Sequence, residues 1–137
     1  MVVARTGHSR PGGMFTLKSG AERVGFWRYA VSSCIARRAA SAAALERSGW
    51  SILARNHRLA GLEIDLLARD LGGRLVAVEV RRRPSVGAAT PLQLLGARKV
   101  AALRRQRQAL PALERIDLLL VLGPDGGERL RLIRGIT

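Results

Sequence analysis

Residues 61–81 read GLEIDLLARDLGGRLVAVEVR. Leu62 to Leu66 alternates apolar with acidic, and Arg74 to Arg81 alternates again, with Leu71-Gly72-Gly73 between them as a turn. That pattern predicts a hairpin of two strands. Because side chains alternate faces along a strand, Glu63 and Asp65 share one face, opposite Leu62, Ile64 and Leu66. Glu79 and Arg81 likewise lie opposite Val76, Val78 and Val80. A carboxylate is costly on a half-buried sheet unless it is paired or binds a metal. Two carboxylates on neighbouring strands form an all-oxygen pocket of the kind that holds Mg²⁺ with water and a phosphate oxygen. The same spacing also allows a structural pair neutralised by Arg81 and Arg58.

Further strands and helices lie on either side of the hairpin. Upstream, the Ala-rich run from Arg37 predicts a helix stopped at Gly49, with an extension back into Val24–Ile35. Trp50–Ala54 reads as a short strand, with Trp50 a core residue, and Arg55-Asn56-His57-Arg58 as the connection after it, His57 being exposed. Downstream, Gly96 or Thr90-Pro91 opens a second helix over Ala97–Leu110, which ends at Pro111. Ile116–Leu122 is a nearly continuous apolar run, as for a strand covered on both faces, and Gly123–Gly127 turns into a last strand, Arg129–Ile133. Asp117, at the start of the buried strand, reads as a partner for Arg115. The expected fold class is therefore α/β: one domain over residues 21–137, with the five strands in one sheet flanked by helices. Residues 1–20 are expected to be a disordered basic tail.

With 137 residues and 47% hydrophobic content, the chain can build one sizeable core. The 24 basic and 10 acidic residues give a formal charge of +14, which favours a polyanionic partner and makes nucleic acid the first candidate. Only Lys18 and Lys99 are lysines, so nearly all of this charge is guanidinium, suited to bidentate phosphate contact. Arg98, Lys99, Arg104, Arg105 and Arg107 crowd the second helix without an acidic residue among them. They read either as a phosphate-facing surface or as an ordinary polar face. Arg81-Arg82-Arg83 lies beside the carboxylates. Cys34 is the single cysteine, which rules out an intrachain disulfide or a thiolate zinc cluster. With no stretch of bilayer length, the expectation is a cytoplasmic protein without a membrane partner, and a homodimer is compatible with the sequence.

The ordered motifs resemble a known family. Gly61-Leu62-Glu63-Ile64-Asp65-Leu66-Leu67-Ala68 and Val78-Glu79-Val80-Arg81 resemble the G-E-(I/V)-D-L-(I/L)-A and V-E-V-(K/R) motifs of the bacterial YraN family. Gly49–Asn56 resembles its G-(Y/W)-x-I-L-x-R-N strand, and Arg115-Ile116-Asp117 its R-F-D entry. The resemblance spans roughly Ala36 to Thr137. It implies a restriction-endonuclease-like mixed central sheet of the PD-(D/E)xK superfamily and a nuclease that acts on DNA with Mg²⁺ or Mn²⁺. It further implies Asp65 and Glu79 as metal-binding and catalytic carboxylates, Arg81 in the place of the catalytic lysine, and Glu63 and Lys99 in support. Arg82, Arg83, Arg98, Arg104 and Arg105 are the expected nucleic-acid contacts. Two departures stand out. Arg81 stays protonated and cannot be a general base, and where the family carries a first-helix glutamate this chain offers Arg38, Ala39 or Ala40. The competing expectation is a module on the same fold that grips nucleic acid without cutting it.

Overall fold

The computed structural model describes residues 14–16, 24–29, 34–85, 87–124 and 128–137. In chain order the elements are β1 (Met14–Thr16), β2 (Val24–Tyr29), α1 (Cys34–Arg47), β3 (Ser51–Leu59), β4 (Leu62–Arg69), β5 (Leu75–Arg83), α2 (Pro91–Leu95), α3 (Ala97–Ala109), β6 (Arg115–Leu122) and β7 (Glu128–Ile133). The strands form one seven-stranded sheet in the order β1-β2-β7-β6-β5-β4-β3. Among the described strands only β5 and β6 pair in parallel, joined across the sheet by α2 and α3. Such a crossover needs a helical connection, because a tight turn cannot return a chain in the same direction.

Both faces of the sheet are covered. The small residues Ala42 and Ala44 bring α1 close to one face, where they pack with Leu45, Trp50, Leu66, Val78, Leu119 and Val121. On the other face, Leu94, Leu95, Val100 and Leu103 of α2 and α3 meet Ile64, Ala77, Ile116, Leu118 and Leu120. Strand β6 supplies side chains to both clusters, as its unbroken apolar run requires. The molecule is thus an α/β domain with a restriction-endonuclease-like mixed sheet between helical layers. Among the described residues, no helix is long and apolar enough to cross a membrane.

The five expected strands are present, and several boundaries differ. Arg55–Arg58 is not a connection: β3 runs on to Leu59, and the chain reverses at Ala60-Gly61, both with positive φ (52° and 73°). Two successive positive φ values mark the hairpin turn whose twist matches the flanking strands. Over Val24–Tyr29 the apolar stretch ahead of α1 is not a helix extension, and residues 30–33 lie outside the described residues. Val24–Tyr29 is a strand on β7, and helix is described only from Cys34. Its β-branched and aromatic composition suits a strand more than a helix. Thr90-Pro91 and Gly96 both open helices: Thr90 caps the short α2 in a capping box with Gln93, and α3 follows Gly96. Of the stretch expected as a basic tail, Met14–Thr16 is a strand against β2, and residues 1–13 and 17–20 lie outside the described residues.

Helix α1 ends as its sequence suggests. Gly49 takes φ 89° while its N–H donates to Glu46 O and that of Trp50 to Leu45 O, closing the helix. A Cβ on Gly49 would stand 2.6 Å from Leu71 Cδ2, the tip of an exposed side chain that can move aside, so it is the positive φ that calls for glycine here.

Candidate functional site

The hairpin ladder between β4 and β5 is regular from Arg69↔Leu75 up to Leu66↔Val78. One step further, where Asp65 and Glu79 would be opposite, no pair forms. Instead the Val80 N–H donates to Asp65 Oδ2 at 2.8 Å. On its other side β4 also loses its partner there. The β3 register passes from Arg55↔Leu66 to His57↔Ile64, leaving Asn56 across from Asp65 with φ 50°. Asn tolerates this left-handed conformation better than most residues. The alternation expected through Leu62–Leu66 breaks at this point: Ile64 packs into the α3-side cluster and Leu66 into the α1-side cluster. Asp65 sits where the ladder opens, and its carboxylate replaces a missing backbone acceptor.

Arg38 on α1 reaches into this opening. Its Nη2 lies 2.7 Å from Asp65 Oδ1 and 2.9 Å from Glu63 Oε1, and its Nη1 donates to Asn56 Oδ1 at 2.7 Å. One guanidinium therefore ties α1 to both strands of the β3–β4 hairpin. Its contact with Glu63 is one of charge: Oε1 is enclosed, yet no N–H is aligned on it as a hydrogen bond.

Glu79 is served from the opposite layer. Arg81 Nη2 is 2.9 Å from Oε1 and Lys99 Nζ, from α3, is 3.1 Å from Oε2. Burial and the neighbouring Asp65 charge push the Glu79 carboxyl up, while Lys99 and Arg81 pull it back, and the net direction is upward. The Asp65 and Glu79 side chains are 6% and 2% exposed, against 27% for Arg38, 36% for Arg81 and 24% for Lys99. The carboxylates are inside, and the cations reach toward solvent.

The expected site residues thus fall into two groups, Glu63 and Asp65 around Arg38, and Glu79 with Arg81 and Lys99. Of the other arginines, Arg83 is turned inward, donating to the Leu94 and Arg82 carbonyls, so it ties β5 to α2. Arg82 lies 3.5 Å from Gly123 O. Arg98, Arg104 and Arg105 are exposed on α3 and form no ion pair with any described residue. Arg107 is spent on the Glu114 and Thr137 carbonyls. Asp117 pairs with Arg115 at 3.0 Å, and Trp50 is buried, both as expected. His57 is exposed, on a strand.

Sequence reasoning missed three residues of the site, the first being Arg38, noted only as one of the residues standing where the family carries a glutamate. Asn56 was hidden in a polar run that reads as a loop. Gln106 on α3 is fully buried and donates from Nε2 to the Glu63 carbonyl at 3.0 Å, fixing β4 from below the opening. Its spacing from Lys99 and Leu103 would have revealed it as facing the sheet.

The metal implied by the resemblance can be tested against these donors. Asp65 and Glu79 are suitable hard oxygen ligands, but all four of their oxygens are already engaged, three by cations and one by a backbone N–H. Among the described residues, no three His, Cys, Asp or Glu side chains gather into a metal cage. As arranged, the set is compensated by the protein's own cations and does not suit a divalent ion.

Residues 38–121, more than half of the chain, match the profile of the uncharacterised protein family UPF0102. The chain belongs to the UPF0102 family. This is the YraN family of the motif resemblance, so that expectation holds. A UPF0102 protein of Deinococcus radiodurans is 36% identical over 108 residues, covering 72% of this chain and 86% of that protein. One of Symbiobacterium thermophilum is 41% identical over 103 residues, covering 69% and 86%. The UPF0102 match begins at Arg38 itself and ends within β6, so it takes in the β4–β5 hairpin, both carboxylates and Lys99.

Proposed function

We propose that this UPF0102 protein binds nucleic acid, DNA first, through phosphate contacts made by the cations around the β4–β5 opening, and that it grips the strand without cutting it. The observation that carries this reading is the Arg38 guanidinium on Asp65 and Glu63, with Arg81 and Lys99 on Glu79. Cations held part-exposed over buried carboxylates are oriented donors for a phosphodiester, and fixed geometry lowers the entropy lost on binding. The unpaired Arg98 and Arg105, two helical turns apart on α3, extend the basic surface from Lys99.

A second reading, hydrolysis of the phosphodiester, is favoured by one observation: Asp65 and Glu79 are near enough for the charge of one to raise the carboxyl of the other. It requires Arg38 to leave Asp65 when substrate arrives. One experiment separates the two. Duplex and branched DNA are incubated with the protein in Mg²⁺, in Mn²⁺ and in EDTA, and with Glu79→Gln, and both binding and strand scission are followed. Gripping predicts binding that survives EDTA and the substitution, with no scission in any lane. Metal-dependent scission abolished by Glu79→Gln would establish the second reading.

A further inference from the structure

The acidic side of the opening already contains a cation, and that cation belongs to the chain. Arg38 Nη2 lies between Glu63 Oε1 and Asp65 Oδ1 at 2.9 and 2.7 Å. Its other terminal nitrogen is pinned by Asn56, a residue held in a left-handed conformation directly across from Asp65. The guanidinium is therefore a fixed charge bridging two carboxylates, as a bound metal ion would be. The fit is incomplete at one oxygen. Glu63 Oε1 is enclosed and within charge contact of Arg38, yet it receives no aligned N–H. The Glu63 side chain is 38% exposed and its Oε1 is already in charge contact with Arg38, yet a spherical cation, which has no directional requirement, would satisfy that oxygen at least as well as a planar fork.

We propose that Arg38 is a tethered counter-cation that keeps divalent ions out of the Glu63–Asp65 pair, and that releasing it converts the pair into a divalent-cation site. Two carboxylates from alternate positions of one strand end, with water completing the shell, meet the requirement of Mg²⁺ or Mn²⁺ for hard oxygens and a largely hydrated sphere. With Arg38 in place, an entering dication meets a guanidinium already at the bridging position, and the repulsion and the broken ion pairs oppose its binding.

The inference rests on the compensated geometry used for the proposed function, but its test involves no nucleic acid, so either can fail alone. Binding of Mn²⁺ to the full chain is measured by calorimetry and by the loss of its free electron-spin resonance signal. The variants are Arg38→Gln, Arg38→Gln with Asp65→Asn, and Asn56→Gly, which removes the pin while accommodating the positive φ. Circular dichroism checks that each is folded. The wild-type chain is expected to bind Mn²⁺ weakly. Arg38→Gln should bind at least about tenfold more tightly, the added Asp65→Asn should return affinity to the wild-type level, and Asn56→Gly should show a smaller gain in the same direction. If Arg38→Gln does not fold, the gain in Asn56→Gly decides. The inference is overturned if the folded variants bind no more tightly than wild type, or if wild type already binds Mn²⁺ as tightly as Arg38→Gln.

Discussion

At the scale of single residues, a heavily used carboxylate among the described residues lies outside the candidate site. Asp70, with a side chain 1% exposed, takes Arg115 at 2.7 Å, Arg134 at 3.2 Å and Arg74 at 3.5 Å, and accepts the backbone N–H groups of Gly72 and Arg74. Arg115 and Arg134 also lie over the Trp50 ring, at 5.7 and 6.0 Å. Burial pushes the Asp70 carboxyl up, but the Arg115 hydrogen bond, the backbone donors and the Arg115 charge outweigh it, so the net direction is down. A depressed carboxyl stabilises the fold above its unfolded pKa, and that stability is lost as pH falls through the folded value. Asp70→Asn should therefore cost about 2 kcal/mol at neutral pH, because it removes the charge that the part-buried Arg115 and Arg134 meet at 2.7 and 3.2 Å. The gap from wild type should narrow in acid, below the ordinary aspartate range. Urea unfolding of both proteins at neutral and acidic pH checks this, and a gap that is constant with pH would mean that Asp70 acts by shape alone.

At the scale of elements, the β3–β4 hairpin delivers both halves of the Arg38 cradle, Asn56 from one arm and Glu63 with Asp65 from the other. Its turn carries an avoidable cost. Ala60 has φ 52°, a conformation that strains a residue with a plain Cβ. Asn is favoured at the first position of a two-residue turn with both φ values positive, and Gly61 already occupies the second. Ala60→Asn is thus expected to stabilise the domain by about 1 kcal/mol, seen as a raised thermal midpoint without a change in the circular dichroism spectrum. An unchanged or lowered midpoint would show that the turn relaxes in solution. On the opposite layer, α3 is held to the sheet by Gln106 on the Glu63 carbonyl and by Lys99 on Glu79, so both helical layers meet the sheet near the site through polar contacts.

At the scale of the whole molecule, a formal +14 makes association with a polyanion a property of the long-range field as well as of local contacts. Released counterions should give affinity for DNA a steep dependence on salt and little dependence on sequence. Arg98→Glu with Arg105→Glu should weaken binding of all sequences alike and flatten the salt dependence by about one logarithmic unit of slope for each phosphate that is no longer neutralised. Fluorescence anisotropy across a salt series measures both. Binding that ignores these changes would place the nucleic-acid surface elsewhere on the molecule.

The strand set from Trp50 onward, the hairpin and the covered β6 were legible because their signals are local: period-two alternation, Gly-rich turns and an unbroken apolar run survive in any context. The family motifs also grouped Glu63, Asp65, Glu79, Arg81 and Lys99, which the fold divides into Glu63 and Asp65 around Arg38 and Glu79 with Arg81 and Lys99. The sequence by itself thus determined the elements from α1 onward, their order and the overall charge, but not β1 and β2, which stand where a tail and a helix extension were expected. Tertiary structure alone decided which cation meets which anion, since ion pairs form between residues distant along the chain. Arg38 and Asp65 illustrate it: nothing in their spacing marks them as partners until α1 lies on the sheet. Arg83 and Arg107 look like phosphate contacts in sequence, but Arg83 turns inward to the Leu94 carbonyl and Arg107, still exposed, donates to the Glu114 and Thr137 carbonyls. The face reversal at Asp65 was equally unreadable, because strict alternation assumes an intact ladder, and the ladder opens where Asn56 turns left-handed and Val80 takes a side chain as its acceptor.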